Sequence, residues 1–195
     1  MYLLQSIDTQ AFLTLNGIHS PFFDFIMYWL SDKMIWFHMY ILFIFLIIYY
    51  YRYKGLIILL GVGIVVLISD QLASGLLKEL VHRLRPSHEP SLAGMIHING
   101  GPGGLYGFAS SHAANVFGMA TFLWLTLKPW LNWMRYWLVI WAFLVSYSRI
   151  YNGVHYPGDV IVGILIGIIV GWTIARLYWF LNTKFKGTFE WEPSD

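Results

Sequence analysis

Three short stretches carry side chains able to do chemistry together. Residues 78–86 read KELVHRLRP and hold Lys78, Arg83 and Arg85. Residues 108–112 read FASSH and hold Ser110, Ser111 and His112. Residues 148–159 read SRIYNGVHYPGD and hold Arg149, His155 and Asp159. Guanidinium groups match phosphate oxygens in pairs, and a lysine adds a point charge. A serine hydroxyl and free backbone N–H groups at a helix start form an anion site. Two imidazoles can supply one nucleophile and one proton donor. A carboxylate near a histidine can hold its tautomer and stabilise its cation. Charge neutralisation, an in-line nucleophile and a leaving-group acid are the parts that phosphoryl transfer needs.

Singly, each residue has a plainer use. Lys78, Arg83 and Arg85 could anchor a helix end at a membrane surface. His112 could simply begin a helix, and Asp159 could sit in a first helical turn because the dipole favours a carboxylate there. What separates the readings is where the chain must bring these residues.

The chain has 195 residues, of which 58% are hydrophobic, 19% aromatic and only 11% charged. This composition and its long apolar runs imply an integral membrane protein. There is no cysteine, which excludes disulfides, thiolate metal sites and a cysteine nucleophile. Met1–Gly17 lacks a basic start and a continuous apolar core, so no cleavable signal peptide is expected. Residues 1–32 alternate apolar and polar positions and are expected to form one or two helices in the membrane interface. Five spans follow, at 34–51, 55–77, 111–127, from 135 onward, and 157–181. A polar, glycine-rich loop region over 78–107 is long enough to be functional. Pro157 suits the first position of a helix, which puts His155 just outside it and Asp159 in its first turn. Gly163, Gly167 and Gly171 recur at four-residue steps, as a close-packing face would require. The expected fold is all-α: one domain over 1–195, a polytopic bundle of five or six transmembrane helices with interfacial helices at the N-terminus. With five spans, the end of the second, the start of the third, the end of the fourth and the start of the fifth share one membrane face. All three stretches therefore meet on one surface.

These stretches resemble the motifs of the type 2 phosphatidic acid phosphatase superfamily. Lys78, six residues, then Arg85–Pro86 is similar to the first motif. Ser148–Arg149, five residues, His155, three residues and Asp159 match the third in full. The second is usually Pro-Ser-Gly-His and here reads Ala109-Ser110-Ser111-His112. The resemblance implies that His155 attacks phosphorus to form a phosphohistidine, that Asp159 orients His155, and that His112 protonates the leaving oxygen and then activates water. It implies that Lys78, Arg85, Arg149, Ser110 and the Ser111 backbone hold the phosphoryl oxygens, with no metal and no cofactor.

The expected function is a membrane lipid phosphatase. The candidate substrates are isoprenyl diphosphate, phosphatidylglycerophosphate, phosphatidate and lipid A phosphate, and no nucleic acid partner is expected. The competing reading is an anion-binding membrane protein or transporter that does not turn its ligand over. Asp70, inside the second span, shares a helix face with Ser74 and Lys78 and is expected to position Lys78 or its neighbours. Basic residues mark the cytoplasmic side. Arg52, Lys54, Lys128, Arg135, Arg176, Lys184 and Lys186 lie opposite the three stretches. On the other side, only Lys33 and Arg83 remain once Lys78, Arg85 and Arg149 are set aside for the site. The expected location is the inner (cell) membrane, with the site on the periplasmic or extracellular face.

Overall fold

The computed structural model describes residues 2–184. Among them the only strand-like pairing is an isolated antiparallel bridge between Leu84 and Tyr106. Everything else is helix, turn or loop. The N-terminal region forms two helices, α1 (Tyr2–Asn16) and α2 (Pro21–Ser31). Pro21 occupies the first turn of α2, and the Ser20 hydroxyl accepts the Phe23 N–H at 3.4 Å, so both standard start signals are present. After a 3-10 turn at Met34–Trp36 comes α3 (Phe37–Tyr51). It ends where Arg52 takes a left-handed φ of 55°. The chain then turns back as α4 (Gly55–Asp70), continues through a π-helical stretch at Gln71–Leu77, and closes as α5 (Lys78–Val81). The loop region expected to begin at residue 78 thus opens with a helical turn. His82, at φ 51°, stops it.

The remaining helices are α6 (Ser111–Thr126), α7 (Asn132–Tyr151) and α8 (Pro157–Lys184). Proline begins α8, as its fixed φ favours. Two stretches, Met34–Val81 and Pro157–Lys184, are long and apolar enough to cross a membrane, with mean hydropathy 2.4 and 2.3. Their outward faces carry exposed Phe45, Leu56, Leu60, Leu165, Ile169 and Trp172, side chains that a lipid environment would accept.

The centre of the bundle is the pair α6 and α8. A Cβ added to Gly163, Gly167 or Gly171 would stand 2.4 Å from the carbonyl oxygens of Ser110, Ala114 and Gly118 respectively. The two backbones touch along this line, and no other residue fits. Gly61 of α4 gives the same room to the Phe122 ring, 2.4 Å from a would-be Cβ. Around this seam Val65, Phe122, Leu138, Trp141 and Met134 form the buried core. Far from the motif residues, the Lys128 N–H donates to the Tyr51 hydroxyl at 2.6 Å. That bond ties the α3–α4 turn to the α6–α7 turn and so puts both at the same end of the bundle.

Helices α1 and α2 pack more closely against the body than interfacial placement alone would need. Asn16 is 1% exposed and clasps both the long loop and the end of α7. Its amide donates to the carbonyls of His97 at 2.9 Å and Tyr151 at 2.8 Å, and its carbonyl accepts the His97 N–H at 2.8 Å. The end of α1 is thereby fastened to both the long loop and α7.

Candidate active site

Backbone hydrogen bonds set the site before any side chain does. Ser110 caps α6, its hydroxyl accepting the Ala113 N–H at 3.4 Å. The Ser110 N–H donates to the Asp159 carbonyl at 3.0 Å, which joins the second motif to the third. The loop brings in the first motif. The Arg85 N–H donates to the Leu105 carbonyl at 3.0 Å, and the Gly107 N–H to the Arg83 carbonyl at 2.9 Å. Two glycines make room for the arginine side chain. At Gly103, which has φ +68°, a Cβ would meet Arg85 Nη1 at 2.6 Å; at Gly107 it would meet Arg85 Cγ at 3.1 Å and Asp159 Oδ2 at 3.0 Å.

The third motif is folded by its own chain. The N–H groups of Val154 and His155 both donate to the Arg149 carbonyl at 3.2 Å. Gly153 takes φ +76°, where a Cβ would also strike the His97 carbonyl at 2.5 Å. This turn buries His155 to 1% exposure and Asp159 to 0%. His155 Nδ1 faces Asp159 Oδ2 at 3.5 Å. The same oxygen accepts the Tyr156 N–H at 3.0 Å. Burial first, then the positive charges of Arg85, Arg149 and Lys78, push the His155 imidazole well below its ordinary range. The ring turns Nδ1 toward Asp159 at a distance longer than an ordinary hydrogen bond, and the Gly107 backbone acts on the ring in the opposite sense to the cations.

The cationic residues expected in the site converge. Arg85 is buried, and its Nε donates to the Tyr106 carbonyl at 3.1 Å. Arg149 contacts the Ser31 hydroxyl at the end of α2, and its buried Nε has no protein partner. Lys78 donates to Ser74 Oγ at 3.1 Å. Asp70 does not take Lys78 as its hydrogen-bond partner: its Oδ1 accepts the Asn115 amide at 3.2 Å, one turn along α6 from His112. Sequence reasoning did not find Ser31, Asn115 or Asp8, whose partners lie far along the chain. It named Arg83 only as one basic residue among several. The one available signal for Asp8 was that it is the sole charged residue of the first helix.

Two cavities border this site, and Ser31 lines both. One is apolar, about 490 Å³, between α3, α4, α6 and α7. Lys33, Ser111, His112 and Asn115 stand at its polar end, while Phe43, Ile47, Leu123 and Trp141 line its body. The other is polar, about 260 Å³, lined by Arg149, Asn152 and the glycines at 100, 101 and 103. Among the described residues, one cluster has metal-ligand types in reach of one another: His19, Asp24 and His97, with ligand atoms within 4.8 Å. It includes none of the motif residues. Asp24 Oδ1 is already engaged by His97 Nε2 at 2.8 Å and the Tyr151 hydroxyl at 2.7 Å.

The comparisons with known proteins agree on one family. The PAP2 superfamily matches residues 54–183. A lipid A 4'-phosphatase of Bacteroides thetaiotaomicron is 40% identical over 96% of this chain and 82% of its own length. A second, from Porphyromonas gingivalis, is 37% identical over 95% of this chain and 78% of its own. The crystal structure of Aquifex aeolicus LpxE superposes with a TM-score of 0.68 at 26% identity, covering 86% of this chain and 94% of that one.

Proposed function

The chain belongs to the PAP2 superfamily and is a membrane lipid phosphatase, and from that premise we propose that it removes a phosphate group from lipid A through a phosphohistidine on His155. The observation that carries this reading is a buried His155–Asp159 pair among Lys78, Arg85 and Arg149, with Ser111 and His112 of the same site lining the polar end of an apolar cavity. A lipid fits that arrangement. Its phosphate reaches the cations, and an acyl chain fills a cavity whose 490 Å³ lies within the usual range for ligand sites. The choice of lipid A among lipid phosphates rests on the two relatives matched over nearly the whole chain.

In the proposed reaction the phosphoryl oxygens lie against Lys78, Arg85, Arg149, Ser110 and the Ser111 backbone. His155 Nε2 attacks phosphorus as the bond to the lipid oxygen breaks. His112, at the polar end of the apolar cavity, gives its proton to that oxygen. The His112 base then takes a proton from water entering by the polar cavity, and the resulting hydroxide displaces His155 and frees inorganic phosphate. Asp159 holds His155 Nδ1–H throughout and stabilises the cation that forms. These are the chain's own groups, and no metal is assigned a role. We also read the site as facing the outer side of the membrane, a reading supported by the basic residues gathered at the opposite end of the spans; Lys186 among them lies outside the described residues.

The test is phosphate release by the purified protein in detergent, with chelator in excess. Lipid A, an isoprenyl diphosphate, phosphatidylglycerophosphate and phosphatidate are offered at equal surface concentration. Release should be fastest from lipid A, and His155→Ala should lose at least about 100-fold. Faster release from another lipid reassigns the substrate. Binding of all four with release from none would make the protein an anion binder, and loss of activity that only metal restores would reject the metal-free mechanism.

A further inference from the structure

Asp159 has two oxygens, and both are committed. Oδ2 serves His155 and the Tyr156 N–H. Oδ1 accepts from Arg83 Nη1 at 2.9 Å. Arg83 is itself held from two other sides. Its guanidinium lies over the Tyr156 ring, 3.9 Å from the centroid, and its Nη2 meets Asp8 Oδ2 at 2.7 Å. The other Asp8 oxygen accepts the Gly158 N–H at 2.7 Å, one residue before Asp159. A Cβ on Gly158 would stand 2.7 Å from Asp8, so glycine is needed for that approach. The chain of contacts Asp8–Arg83–Asp159–His155 therefore joins α1, the loop after α5 and the start of α8. A carboxylate with no exposure needs a paired cation. Arg83 supplies one at Oδ1, the oxygen that does not face His155.

We propose that Arg83, braced by Asp8, is a positioning residue for phosphoryl transfer: it fixes Asp159 as the acceptor that orients His155, and it makes α1 part of the catalytic unit. This rests on the reading of His155 as the nucleophile. Neither Arg83 nor Asp8 touches the substrate. Without Arg83, Asp159 keeps a proton to higher pH and no longer holds His155 Nδ1–H.

The experiment compares full-length wild type with Arg83→Met, Arg83→Lys, Asp8→Asn, Asp159→Asn and the double variant Arg83→Met/Asp159→Asn, using lipid A in detergent. Arg83→Met should lower kcat about 10- to 100-fold, the range of one charge-assisted hydrogen bond, with KM changed by less than about 3-fold. The acid-side inflection of its pH–rate profile should move to higher pH. Arg83→Lys should recover part of kcat, and Asp8→Asn should show a smaller change in the same direction. In the Asp159→Asn background the Arg83→Met loss should disappear, since the two act through one contact. If Arg83→Met does not fold, Arg83→Lys and Asp8→Asn decide by the same pH profile. Additive losses, an unmoved acid limb or a loss confined to KM would overturn the proposal. An active wild type that is silenced by His155→Ala but indifferent to Arg83 would sink this inference alone. A wild type that releases no phosphate from any lipid would sink the reading beneath it as well.

Discussion

Gly163→Ala puts one methyl group between the two central helices at the point where they carry the site. The added carbon would stand 2.4 Å from the Ser110 carbonyl and 3.1 Å from Ala113 Cβ. Ordinary contacts of this kind lie at about 3.5–4.0 Å, so the deficit is about 1 Å. The obstacle is backbone on both sides and cannot rotate away. Either α8 moves off α6 or both helices bend, and such overpacking costs about 1–3 kcal/mol. The same shift separates Ser110, whose N–H is bonded to the Asp159 carbonyl, from the start of α8. A displacement of about 1 Å at a reacting centre lowers the rate about 100-fold. Gly171→Ala meets an equal obstacle, the Gly118 carbonyl at 2.4 Å, two turns further from the site. The two variants should lose similar thermal stability in detergent, while Gly163→Ala loses much more phosphate release per folded molecule. Gly75→Ala meets only the movable Gln71 amide at 2.8 Å and should match wild type in both assays. Equal activity in Gly163→Ala and Gly171→Ala would refute the claim that this seam sets the geometry of the site.

Further outcomes follow from the same contacts. Because burial and three cations hold His155 well below the ordinary value of about 6.5, its acid limb in the pH–rate profile should lie below that value. The unfolded chain binds the proton more readily, so this contribution to stability is full above about pH 6.5 and is lost as pH falls below it. Thermal unfolding of wild type should weaken there more than that of His155→Asn. Asp70→Ala leaves the Asn115 amide without its acceptor and should cost about 1–3 kcal/mol in stability, whereas Asp70→Asn keeps an oxygen in place and should unfold near wild type. An impermeant maleimide applied to intact spheroplasts should label Gly104→Cys, in the exposed glycine loop, and spare Asn132→Cys. The reverse would put the site in the cytoplasm.

Much of this molecule is legible in one dimension because the relevant forces act locally along the chain. Apolar runs long enough for a bilayer, a proline that can only begin a helix, and glycines at four-residue steps each state a requirement within one element. The spacing from His155 to Asp159 is of the same kind. Four residues along a turn entering a helix are enough to bring the two side chains near each other, 3.5 Å apart. Counting the helices then places the three stretches on one face. Partner choice across the chain is different, because nothing periodic encodes it. Arg83 and Arg85 are two residues apart and indistinguishable by type. Packing turns Arg83 toward Asp159, 76 residues away, and seats Arg85 between Gly103 and Gly107. Asp70 shares a helix face with Lys78 yet bonds Asn115 of α6, while the lysine head bonds Ser74 on its own helix. The first helix reads as a surface element, but Asp8 reaches Gly158 across 150 residues. A buried charge takes whichever partner the assembled helices bring within about 3 Å. That distance is fixed only when α1, α6 and α8 have packed.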